Sequence, residues 1–139
     1  MSLYVLDTDM ATLLRRGHGR VCQNVASHPT TDLAVTVLTI EEQLSGWYRL
    51  LRTVMRPPQV AQAYQELAEA VQFFGSWQIL PYSVPAIACY DRLQALKTHV
   101  RKTDLRIAAV TLKHSGILVT RNLRDFRRVP NLIVEDWAV

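Results

Sequence analysis

TDLRIAAVTLKHSGILVTRNLRDF, residues 103–126, is the stretch on which the fold turns. From Asp104 to about residue 115 it reads as a helix, and Ile117 to Thr120 is a short apolar run of buried-strand character. Working outward, the same alternation recurs. Leu3–Leu6 is an apolar run ending at Asp7, Leu33–Val37 is a second run rich in β-branched residues, and Trp77–Leu80 and Leu132–Val134 are of the same kind. The segments between them are long enough for helices, expected near residues 9–16, 20–27, 40–54, 84–98 and 104–115. The clearest helix lies between Pro58 and Gly75, where Val60, Tyr64, Leu67, Ala68, Val71 and Phe74 recur at three- and four-residue intervals along one face. Pro57 and Pro58 set its start and Gly75 its end, because proline fits a first turn but not a helix interior. Strands separated by helices predict a parallel sheet.

At 139 residues the chain is of one-domain size, and one domain over residues 1–139 is expected, since no repeat, low-complexity tract or Gly/Ser/Pro-rich linker offers a boundary. No apolar run approaches the roughly 20 residues that cross a bilayer. The opening MSLYVLD enters a strand-like run without the basic and long apolar segments of a secretion signal, so a cytoplasmic location is expected. Cys22 and Cys89 match neither a CxxC pair nor a zinc ligand set and are read as reduced thiols. The net charge is +4, and 13 of the 16 basic residues are arginine, whose fork matches phosphate oxygens; a polyanion partner and a merely solvated basic surface both account for this. His18, His28, His99 and His114 show no ligand spacing, and Trp47, Trp77 and Trp137 are read as core or interface groups.

Four acids stand where chemistry gathers in parallel sheets, near the carboxyl ends of strands. Asp7 ends the first strand, with an ordinary turn aspartate as its bland reading and Asp9 then capping the next helix. Glu42 lies on the first turn of a helix entered from the second strand, or serves a capping box with Thr39. Asp104 follows Thr103 and is equally read as part of an N-cap that complements the helix dipole. Asp125 lies just past a strand, where a polar turn residue is ordinary.

Taken together, LYVLDTD, VTVLTIEEQLSG and TDLRIAAVTLKHSGILVTRNLRDFRRVPNLIVEDW resemble the PIN domain, most closely its VapC-type toxins. The resemblance covers both ends of the chain and leaves residues 47 to 100 generic. It implies a three-layer α/β/α sandwich with a central parallel sheet of four to five strands. It implies a divalent-metal-dependent endoribonuclease whose metal-binding and catalytic acids fall on Asp7, Glu42, Asp104 and Asp125, with Mg²⁺ or Mn²⁺ as cofactor. Thr120 and Asn122 fall on supporting polar positions. Asp9 stands where relatives usually carry Asn or Ser, and so could add a fifth carboxylate. Glu41 stands where a small apolar residue is commoner, which leaves open which glutamate points inward. The resemblance further implies RNA as substrate, tRNA or ribosomal RNA among the candidates, a small cognate antitoxin, and a homodimer.

The chemistry suits the residue types. Hard divalent cations take oxygen ligands, and two carboxylates about 5 Å apart at an effective dielectric near 20 repel by roughly 3 kcal/mol, so the cluster calls for a cation or protons. The expected reaction is in-line attack of a metal-activated water on a phosphodiester, and the resemblance implies that it leaves a 3′-hydroxyl and a 5′-phosphate. Arg121, Arg124, Arg127 and Arg128 bracket Asp125, and Arg101, Lys102 and Arg106 bracket Asp104; phosphate clamps and a solvated rim are the two readings. Asp7-Thr8-Asp9 also resembles the opening of haloacid-dehalogenase phosphatases, but their threonine two residues after the second aspartate is Ala11 here. A PIN-like module that binds RNA or protein without cutting, and a solitary RNA-processing nuclease without an antitoxin, are the remaining alternatives.

Overall fold

The computed structural model describes residues 2–139. Five parallel strands, β1 (Tyr4–Leu6), β2 (Leu33–Thr36), β3 (Gln78–Leu80), β4 (Ile117–Val119) and β5 (Ile133–Glu135), form one sheet in the order β3-β2-β1-β4-β5. The helices are α1 (Thr8–Arg15), α2 (Gly19–Ala26), α3 (Val37–Thr53), α4 (Pro57–Gly75), α5 (Val84–Ala95), α6 (Lys102–Lys113) and the single turn α7 (Leu123–Phe126). They cover both faces, so the architecture is the α/β/α sandwich expected.

Strand alternation assigns the two cores. Val5 pairs in register with Ala34 and Leu118, and all three face α5 and α6, packing with Tyr90, Leu93, Ile107, Val110 and Phe126. One residue on, Leu6 pairs with Val119 and faces the opposite side, with Met10 of α1, Val21 of α2, Phe74 of α4 and Trp137. Successive side chains of a strand point to opposite faces, and both faces of this sheet are covered, which is why its strands are apolar without alternation.

Several boundaries and one helical face differ from the sequence expectation. Helix α3 starts at Val37, and Thr36 is its N-cap, accepting from the Thr39 N–H at 3.3 Å. The expected Thr39–Glu42 capping box is therefore absent, because the strand-to-helix turn falls three residues earlier. Asp7, not Asp9, caps α1, and α6 begins at Lys102 with Arg101 as its N-cap residue, so neither Thr103 nor Asp104 caps it. Helix α4 runs from Pro57 to Gly75, but Tyr64 and Val71 are 57% and 55% exposed, whereas Ala63, Ala70 and Phe74 are buried. The buried face is carried in part by the small alanines Ala63 and Ala70, which counting large apolar residues misses.

The rotation is testable in urea melts. Ala70→Leu, which overpacks the buried face, is expected to cost about 1–3 kcal/mol, and Tyr64→Ala to change stability by no more than about 0.5 kcal/mol. Equal losses would restore the stripe drawn from periodicity.

Candidate active site

In the strand order β3-β2-β1-β4-β5 the chain builds outward from β1 on one side and then returns to place β4 on the other. Connections leave β1 and β4 in opposite directions, which opens a crevice beyond their carboxyl ends. Asp7 follows β1 and Thr120 follows β4, so both stand at this switch point. A cleft of about 380 Å³ lies there, lined by Asp7, Thr8, Asp9, Arg101, Asp104, Arg121, Asn122 and Phe126. A larger groove of about 690 Å³, lined by Leu14, Val25, Leu33, Phe73 and Trp77 among others, is mostly apolar and reaches the opposite, amino-terminal ends of β2 and β3.

Asp7 is the most constrained of the acids. It is 6% exposed, and one carboxylate oxygen accepts the Met10 N–H at 2.8 Å as the cap of α1. Burial raises its pKa from 3.8 to about 6; the Thr120 hydroxyl and the Met10 N–H pull the other way, while the charges of Asp9 and Asp104 add to the rise. Thr120 is fully buried, and its oxygen also accepts the Asn122 N–H at 2.9 Å, which fixes the loop after β4.

Asp104 lines the cleft from α6, and Glu42 of α3, outside that lining, shares one cation with it. The Arg101 guanidinium lies 3.3 Å from Glu42 Oε2 and 3.2 Å from Asp104 Oδ1. The other Glu42 oxygen accepts the Thr8 hydroxyl at 2.5 Å, and Thr8 in turn lies 3.1 Å from the Thr39 hydroxyl. Glu41 is exposed, so Glu42 is the glutamate that turns toward the cleft.

The remaining acids are committed elsewhere. Asp9, the possible fifth carboxylate, is held by Arg121 at 2.7 and 3.1 Å on the rim. Asp125 accepts the Asn122 amide at 3.0 Å and lies 3.5 Å from Arg124 and 3.7 Å from Arg128. The Asn122 hydrogen bond, with those two arginines, lowers its pKa, and Asp125 is not among the residues lining the cleft. Of the expected phosphate contacts, Arg121 lines the cleft, Lys102 is exposed at the start of α6, and Arg124 is 84% exposed. Arg106 instead lies over the Tyr90 ring, 5.0 Å from its centroid, on the α5 side. Thr8 is the cleft residue that sequence reasoning passed over; its place between two acids was a signal, but nothing in the spacing joins residue 8 to residue 42.

As the side chains stand, no three His, Cys, Asp or Glu among the described residues are close enough to hold one metal ion. The donor chemistry nonetheless fits a hard divalent cation, because Asp7, Glu42 and Asp104 supply only carboxylate oxygens. Arg101 sits between two of them as a stand-in cation. Cys22 and Cys89 are free, in keeping with the reading of reduced thiols, and no helix among the described residues is long and apolar enough to cross a membrane.

The buried carboxyl makes stability depend on pH. Between about pH 4 and pH 6 the folded chain keeps a proton on Asp7 that the unfolded chain has released, so raising the pH through this window lowers stability. A shift of about two units corresponds to at most about 3 kcal/mol, fully lost above pH 6. Asn caps a helix as well as Asp does. Asp7→Asn is therefore expected to be more stable than the parent at pH 7.5 in chelator, with the difference closing toward pH 4. A difference independent of pH would show that Asp7 is ionised throughout.

No family model matches the chain. It is 30% identical over 69 residues to Ribonuclease VapC2 of Rickettsia felis, a match spanning 47% of this chain and only about half, 52%, of that relative. It is 21% identical over 143 aligned positions to Ribonuclease VapC1 of Haemophilus influenzae, covering 98% of both chains. Among solved structures it superposes on the DNA-bound VapBC of Salmonella typhimurium with a TM-score of 0.79 at 22% identity, covering 99% of each chain. On a toxin–antitoxin complex from Klebsiella pneumoniae the TM-score is 0.71 at 20% identity, with 94% and 95% covered. These likenesses establish the fold as the PIN-like one of VapC-type proteins.

Proposed function

We propose that the chain is a divalent-metal-dependent endoribonuclease that hydrolyses RNA phosphodiester bonds and acts as the toxin of a type II toxin–antitoxin module. The observation that carries this reading is Asp7, a carboxyl buried at the switch point, with Asp104 lining the same cleft and Glu42 joined to Asp104 through Arg101. Likeness to relatives named as ribonucleases, over 98% of the chain in one case, supports it. A cognate antitoxin, a homodimer and a cytoplasmic location belong to the same proposal. Likeness to a toxin–antitoxin complex supports the antitoxin.

Asp7, Glu42 and Asp104 are the residues that would hold Mg²⁺ or Mn²⁺, with Asp125 at the margin. When bound, such an ion supplies Lewis-acid stabilisation of the charge that develops on a phosphodiester under attack by water. The chain's own groups prepare the site. The Thr8 hydroxyl holds Glu42 in one orientation, and the Met10 N–H together with Thr120 favours the ionised form of Asp7 against the cost of burial. Arg121 on the rim and the exposed Lys102 and Arg124 present cations to the backbone of an incoming strand, a sequence-independent attraction. Arg106, packed on Tyr90, shapes the α5 side instead.

One observation favours the alternative of a module that binds RNA without cutting: among the described residues no three carboxylates stand close enough together to hold an ion. The two readings separate on a single variant. Asp7→Ala is expected to abolish Mg²⁺- or Mn²⁺-dependent cleavage of total RNA while leaving binding of uncut RNA within about twofold, because removing one buried charge changes few phosphate contacts. Parent protein that binds RNA but leaves it whole in either metal would establish the binding module, and undiminished cleavage by Asp7→Ala would place the activity elsewhere.

A further inference from the structure

Arg101 is an unusual residue to find at the start of a helix. It is the N-cap residue of α6, its carbonyl oxygen accepts the Leu105 N–H at 2.9 Å, and its side chain makes no capping bond. A cation there faces the positive end of the helix dipole, the unfavourable sign. Two carboxylates compensate: Glu42 from α3 at 3.3 Å and Asp104 from α6 at 3.2 Å. These are also two of the three acids assigned above to the divalent ion. The guanidinium and the ion therefore claim the same oxygens.

Exposure makes the competition reversible. The Arg101 side chain is 66% exposed, whereas Glu42 and Asp104 are 23% and 16% exposed. Both bridges are screened by water and easily broken. The backbone of Arg101 is anchored by the helix while the long side chain is free to swing outward.

We propose that the Arg101 guanidinium is a built-in competitor for the divalent cation, neutralising Glu42 and Asp104 until the ion displaces it. The inference rests on the reading of this cleft as a divalent-cation centre. Displacement sets a threshold: the chain holds the ion only above the concentration at which the ion outcompetes an internal cation that never leaves the molecule. The displaced guanidinium, repelled by both the ion and the helix terminus, turns toward solvent.

The test is calorimetric titration of the full chain with Mn²⁺, without RNA, for the parent, Arg101→Gln and Lys102→Gln. Lys102→Gln removes an equal charge one residue away that makes no ion pair among the described residues. Arg101→Gln is expected to lower the Kd about three- to tenfold, the range of one or two surface pairs, and Lys102→Gln to change it less than about twofold. In chelator Arg101→Gln is expected to melt below the parent, and at saturating Mn²⁺ that deficit is expected to disappear. Equal Kd values for the parent and Arg101→Gln would overturn the competition while leaving the cation site standing. An equal gain from Lys102→Gln would reduce the effect to a diffuse field and likewise overturn it. Absence of Mn²⁺ binding by all three proteins would overturn the cation site and this inference together.

Discussion

The carboxylate of Asp7 is kept out of water at the carboxyl end of β1, and the surrounding polar structure is arranged around that cost. Desolvation alone drives an aspartate toward its neutral form, and a neutral carboxyl is a poor ligand. The Met10 N–H, the Thr120 hydroxyl and the positive end of α1 push back toward the charged form, but not far enough to restore the ordinary pKa. The residual strain is electrostatic, and a cation placed in the cleft would relieve it. An apolar core alone would have no use for such a group.

Topology explains why the strain sits there. Between β1 and β4 the connections diverge, and there side chains from α1, α6 and the loop after β4 line one cleft. The same geometry recruits Thr8, which reaches from the first turn of α1 to Glu42 on α3 and links the two helices through the acid. Arg101 completes the set with an exposed charge between Glu42 and Asp104. The cleft holds the buried Asp7 at its base and the exposed Arg101 and Arg121 at its rim.

The overall architecture was legible in the sequence because its short apolar runs and its helix-bounding prolines and glycine stand out from the segments around them. Short apolar runs such as Leu33–Val37 and Ile117–Thr120 lie within a residue of β2 and β4, and the double proline and Gly75 mark the ends of α4. Errors arose where local rules compete. Thr36 and Thr39 both suit a cap, and the sheet register chose Thr36. Large side chains weighted the α4 stripe toward Tyr64 and Val71, and close packing chose Ala63 and Ala70.

By itself the sequence determined the alternation of strands and helices, and with it the parallel sheet and the placing of Asp7, Glu42, Asp104 and Asp125 near strand ends and helix starts. Those properties depend on local periodicity and on residue type, which a linear chain carries in full. Only the tertiary structure decided that Glu42 and not Glu41 turns inward, that Asp9 and Asp125 are held by arginines, and that Arg101 lies between Glu42 and Asp104. The Arg101–Glu42 and Arg121–Asp9 pairs join side chains whose nearness is set by how helices and loops pack around the sheet, whereas the arginines on Asp125 and the Arg101–Asp104 pair lie within three residues of their partners. Partners far apart along the chain are chosen by distance in space, and for them spacing along the chain holds no record of it.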